Sequence, residues 1–92
     1  MAKRKTIDKK KLNLEQRKQV EEGLMSGLPI EAVALYGQPE FDRLQMDELR
    51  RAFEAGLTVE EVKTFAKPSL SWFEMMEYKN VILARKTLAA RG

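Results

Sequence analysis

A chain of 92 residues, 43% hydrophobic and 34% charged, has room for one small domain with a modest core, and none for a deep substrate cleft besides. Cysteine and histidine are both absent, which excludes disulfides, thiolate chemistry and Cys-based zinc sites and leaves any transition-metal site to carboxylates alone. The net charge of +3 conceals a segregation, since residues 1–18 carry +6, residues 19–62 carry −7 and residues 63–92 carry +4.

The opening MAKRKTIDKKK sets Lys3, Arg4, Lys5, Lys9, Lys10 and Lys11 against one Asp8 and reads as a flexible basic arm, residues 1–11. It lacks the apolar stretch of a signal peptide, and no apolar run reaches the about 18 residues of a membrane span, so a cytoplasmic protein is expected. A single folded domain is expected over residues 12–92.

Asn13, with Gln16 three residues on, predicts a capping box that opens a first helix of about 13 residues, with Val20 and Leu24 on its apolar face. Gly27 is placed to end it in the left-handed conformation, with Leu28 as the hydrophobic partner of that stop. Pro29 suits the start of a short second helix whose apolar face is Ile30, Val33 and Tyr36, and Pro39 closes the unit. The same grammar returns from Phe41: Asp42 and Gln45 form a box, Phe41 and Met46 a hydrophobic staple, Leu49 and Phe53 an apolar face, and Gly56–Leu57 a stop. Thr58 and Glu61 then cap a short helix bearing Val59, Val62 and Phe65, and Pro68 ends it. A third start appears at Leu70, Ser71, Glu74 and Met75, but Arg85 and Lys86 stand where Gly and Leu would stop the helix. One long helix is therefore expected from about 72 to 89, closing the stack with Met76, Ile82, Leu83 and Leu88.

Shifting the sequence by 29 residues superposes these features: Leu12 on Phe41, Gln16 on Gln45, Val20 on Leu49, Gly27 on Gly56, Tyr36 on Phe65, Pro39 on Pro68. The expected fold is all-α and α-solenoid-like, with five helices. Two long-short helix–turn–helix repeats of 29 residues, 12–39 and 41–68, precede a partial third, 70–92, that forms a capping helix.

The stretch PEFDRLQMDELRRAFEAGLTVEEVKTFAKP resembles short helical repeats of the pattern P-x-F-D-x-x-Q-M-x-E-I-R-x-G-L-x-x-G-L-x-V-x-x-Y-A, found in proteins of Gram-positive bacteria and their mobile elements. The likeness spans residues 12–84 and is carried by Phe41, Asp42, Gln45, Met46, Glu48, Leu49, Arg50, Gly56, Leu57 and Val59. It fades in the first unit and ends after Leu83. It implies an α-helical repeat and a mobile-element context, and it brings no catalytic residues with it.

Four constellations bear on function. The basic arm, extended by Arg17 and Lys18, can neutralise phosphates and give salt-sensitive nucleic-acid binding, or it can simply keep the chain soluble. Paired helices also suggest a DNA-reading helix–turn–helix; the reader in the first unit would begin at Asp42 among carboxylates, and the better reader would begin at Ser71. The acids of residues 19–62 can imitate a phosphate strand and block a bacterial defence nuclease, as anti-CRISPR proteins do, or serve as a solvated face that favours helix starts. Trp72, Phe73, Met75, Met76 and Tyr78 cannot all face one core, so a sticky patch of Trp72, Phe73, Met76 and Tyr78 with Lys79 and Arg85 is expected to meet a protein partner or a second copy.

No Gly-rich phosphate loop and no nucleophile beside a base is present, so no catalysis, cofactor or metal is expected. The leading expectation is a non-enzymatic interaction module of a mobile element or phage that binds a protein or ribonucleoprotein and adds phosphate contacts from its basic arm. A small helix–turn–helix DNA-binding protein and an inhibitor of a defence nuclease are the alternatives.

Overall fold

A computed structural model describes residues 7–91. After a short 3₁₀ turn, Lys9–Lys11, come α1 (Leu14–Met25), α2 (Ile30–Tyr36), α3 (Arg43–Glu54), α4 (Val59–Lys63) and α5 (Trp72–Arg91). The described residues are thus all-helical, without strands, and pack into a body of 46 × 28 × 28 Å. None of these helices is long and apolar enough to cross a membrane.

Local chemistry places the helix ends. Asn13 and Asp42 each accept the N–H of the residue three on, and Gln16 and Gln45 return the bond through Oε1 at 2.8 Å. Thr58 with Glu61 and Ser71 with Glu74 repeat the reciprocal pair. Each box satisfies two backbone donors that a helix start otherwise leaves open. The stops of α1 and α3 use Gly27 (φ 86°) and Gly56 (φ 101°), a region costly for any side chain. The following Leu28 and Leu57 N–H groups reach back to Gly23 and Ala52 carbonyls at 3.1 Å, completing a Schellman motif. α5 lacks such a stop and runs on for 20 residues.

α3 is the centre of the fold, packing against each of the other four helices. The core around it comprises Val20, Val33, Tyr36, Phe41, Met46, Leu49, Val62, Phe65 and Met75, all fully buried. Gly23 is small for a specific reason: a Cβ there would collide with the hydroxyl of Tyr36, which crosses from α2 to donate to the Gln19 carbonyl at 2.7 Å.

Several expectations need correction. Leu24 and Ile30, assigned to the apolar faces of the first two helices, are 38% and 61% exposed. The boundary drawn after residue 11 falls inside a packed segment. Ile7 lies against the core, Asp8 caps the turn of three lysines, and Arg17 Nε donates to the carbonyls of Lys9 (3.0 Å) and Leu12 (3.1 Å). Where α3 and α5 carry the buried Met46 and Met75, α1 thus carries an exposed arginine bonded to the preceding turn. Lys3, Arg4 and Lys5 lie outside the described residues. Leu88, expected to close the stack, is 67% exposed, because the last turns of α5 extend past the core; Ile82 and Leu83 do pack against it.

Burial raises the Tyr36 phenol well above its ordinary value of 10.0, so the fold holds it neutral. Its contribution is fully present below the unfolded-state pKa near 10 and is lost as pH rises past it. Tyr36→Phe is expected to cost about 1 kcal/mol at neutral pH through loss of the Gln19 bond. It should also reduce the alkaline loss of stability, which urea unfolding followed by circular dichroism at about pH 8 and about pH 10.5 checks.

Candidate functional site

The seams between the long helices show what the outer faces can do. At the first seam, Gln16 Nε2 donates to the carbonyls of Pro39 (3.2 Å) and Phe41 (2.6 Å), just before α3 begins. At the second, Gln45 Nε2 donates to Pro68 (3.0 Å) and Leu70 (2.7 Å), just before α5. Farther along, Arg50 Nε donates to Gln19 Oε1 at 3.0 Å, and Lys79 Nζ to Glu48 Oε2 at 3.0 Å. Each bond recurs 29 residues on with chemically similar partners. Contacts advance together along both helices (Glu15 with Arg43, then Glu22 with Arg50), so α1 and α3 run parallel.

On α5 the corresponding positions are Glu74, Glu77, Tyr78 and Val81, and no further helix among the described residues covers them. Tyr78 stacks on Phe65 with centroids 6.2 Å apart and planes within 6°, yet it stays 50% exposed, as does Val81. Together with Ile82, these side chains floor an open groove of about 870 Å³ between α4 and α5, with Glu61 and Arg85 among its walls. Lys86 Nζ fastens one side, donating to Glu61 Oε1 (2.9 Å) and to the Gly56 carbonyl (3.1 Å). The Thr58 N–H, aided by Lys86, holds the Glu61 carboxyl below its usual range. Glu74 is committed to its own helix cap. Glu77 and Arg85 have no hydrogen-bond or ion-pair partner among the described residues.

The residues expected to form one sticky patch separate. Tyr78 and Arg85 line the groove. Trp72 and Phe73 meet edge to face at 5.8 Å on the first turn of α5, half-exposed and outside the groove. Met76 is half-buried, and Lys79 is spent on Glu48. Lys9, Lys10, Lys11 and Lys18 are exposed on the α1 side of the molecule, with Arg17 pinning the lysine turn. Glu77, Val81 and Glu61 were missed as groove residues; carrying the 29-residue register from Gln19, Val20 and Gly23 onto α5 picks out Glu77, Tyr78 and Val81.

Most of the acids of the middle segment are engaged. Asp42 caps α3, Glu48 holds Lys79, and Asp47 (2.6 Å), Glu54 (2.7 Å) and Glu22 (3.3 Å) surround Arg50. Burial opposes the Arg50 charge, but the bonds and charges of Glu54 and Asp47 outweigh it and raise its pKa.

No protein-family model, curated protein or solved structure matches the chain.

The Glu48–Lys79 pair is nearly enclosed, with side chains 9% and 14% exposed. Lys79→Met strands the carboxylate and is expected to cost about 3 kcal/mol. Glu48→Gln should cost less than half as much, because Gln19 serves the equivalent place against Arg50. Thermal and urea denaturation of the two variants measures the difference.

Proposed function

We propose that this chain is a non-catalytic helical-repeat module of the cytoplasm that binds another protein through the α4–α5 groove. In this reading its seams are successive turns of one 29-residue unit, of the kind the Gram-positive mobile-element repeats resemble. The observation that carries it is the outward face of α5. The equivalent positions on α1 and α3 are buried (Val20, Leu49 and Ala52 fully, Gly23 beneath Val33 and Tyr36 of α2), whereas Tyr78 and Val81 stay half-exposed over a groove of about 870 Å³. Apolar surface gathered at a concave site and rimmed by charge is what a docking helix buries.

The DNA-reader alternative gains less support. α3 has neighbours on both flanks, and the outward face of α5 bears Glu74 and Glu77, which repel phosphates. Phosphate mimicry fares similarly, since the acids it needs are largely spent on caps and ion pairs.

The groove reading is tested by a photo-crosslinking phenylalanine analogue at Val81, with a control at the exposed Glu31 of α2, in extract of the organism that encodes the chain. A discrete protein adduct at position 81 and none at 31 is expected. Equal or no adducts at both positions remove the groove as the binding face.

A second contribution rests on the lysine turn: Lys9, Lys10 and Lys11 share one turn that Asp8 and Arg17 fix in place, beside Lys18. Such a turn suits salt-sensitive phosphate contacts, as in a ribonucleoprotein partner. Titration of labelled duplex DNA and of RNA at about 50 and about 200 mM salt is expected to show binding that falls steeply with salt and weakens at least about tenfold when all three lysines become Gln. Absence of binding at the lower salt would confine the module to protein contacts.

A further inference from the structure

We propose that the occupant of the α4–α5 groove is a second copy of this chain, docked by antiparallel pairing of the two α5 helices about a two-fold axis at Val81. The inference rests on the groove reading above and names its partner. Its warrant is the charge pattern of the face. Of the five charged side chains that line the groove, Glu74 is bonded to the Ser71 cap, and Lys86 and Glu61 to each other. Glu77 and Arg85 have no partner among the described residues. They carry opposite signs and sit four residues before and four residues after Val81.

In an antiparallel pair centred on one residue, positions at equal offsets before and after it face each other. A two-fold at Val81 therefore sets each Glu77 against Arg85 of the other copy, twice, and sets each Tyr78 over the small Ala84. At the ends, each Leu88 lies toward the other copy's Glu74, whose carboxylate is already held by its own cap. The stripe Glu74, Tyr78, Val81, Arg85, Leu88 keeps helical spacing for about 21 Å, long enough for a paired seam.

The obvious rival, another unit stacked head to tail, fails on chemistry. Gln16 and Gln45 join their seams by donating N–H bonds to backbone carbonyls. Glu74 occupies the third such position, and a carboxylate accepts hydrogen bonds but cannot donate them. Continuing the register would also set Glu77 against Glu21 of the following copy, where α1 and α3 supply Gln19 with Arg50 and Glu48 with Lys79. The face is unsuited to extension in that direction and complementary to itself.

Sedimentation equilibrium of the full chain tests this. At about 0.3 mM, where a small interface is populated, the mass should approach twice 10.6 kDa. Glu77→Arg and Arg85→Glu each create two like-charge contacts and should each weaken association at least about tenfold. An equimolar mixture of the two variants should regain the dimer, because both cross-pairs are then of opposite sign; a head-to-tail contact would not. Circular dichroism melts of both variants should match the parent, since the altered side chains are exposed. A monomeric parent at this concentration, or a mixture that stays monomeric, overturns the two-fold. If the Val81 crosslinker then still gives an adduct with a different protein, the groove reading stands and only the second copy is lost; if it gives none, both fall.

Discussion

The side chain of Gln45 carries more of this fold than its size suggests. Its Oε1 accepts from the Asp42 backbone and so closes the first turn of α3, while its Nε2 holds the carbonyls of Pro68 and Leu70. One nearly buried amide therefore sets both where one long helix starts and where the chain must lie before the next begins. Gln16 does the same between α1 and α3. A buried amide with both ends satisfied adds direction to contacts that apolar packing alone would leave free to slide. The apolar core supplies the driving force, and these two amides set the register in which it forms.

Charge follows a similar economy. Along the sequence the acids and bases look segregated, and that segregation suggests a polarised surface. In space the pattern largely dissolves, because the acids of α1 and α3 meet Arg43, Arg50, Arg51 and Lys79 from their own or neighbouring helices. Arg50 is the extreme case: its guanidinium has five donors and meets Gln19, Glu22, Asp47 and Glu54 at once. On the groove, the opposed Glu77 and Arg85 are left without a partner among the described residues.

Much of the architecture was legible in the sequence because the signals are local. A capping box needs only four residues and a Gly–Leu stop only two, so Asn13, Asp42, Thr58, Ser71, Gly27 and Gly56 announce the helix ends without knowledge of the fold. Residues whose role depends on a distant partner were not legible. Arg17 resembles part of a basic arm until its bonds to Lys9 and Leu12 are seen, and Lys79 resembles a surface cation until Glu48 is found 31 residues away. α5 was hardest, since apolar and polar residues surround it on all sides. Its apolar stripe predicts Ile82 and Leu83 on the inward face, but beside them it points to Met76 and Leu88, whereas the fully buried member of that face is Met75. Val81 carries no mark of its own; it becomes conspicuous only as the counterpart of Gly23 and Ala52, both of which are covered.

The single tryptophan of the chain sits on the opening turn of α5, edge-on to Phe73, one residue beyond the Ser71 cap and two beyond the Leu70 carbonyl that Gln45 grips. Indole emission from this protein is therefore an optical report on one seam. The peptide ellipticity averages over five helices, whereas the fluorescence reads only the joint at which α5 is tethered to α3. Loosening of that joint ahead of the rest of the fold would be seen by eye of the second signal and not the first, which makes the molecule its own two-channel probe of how its last helix is attached.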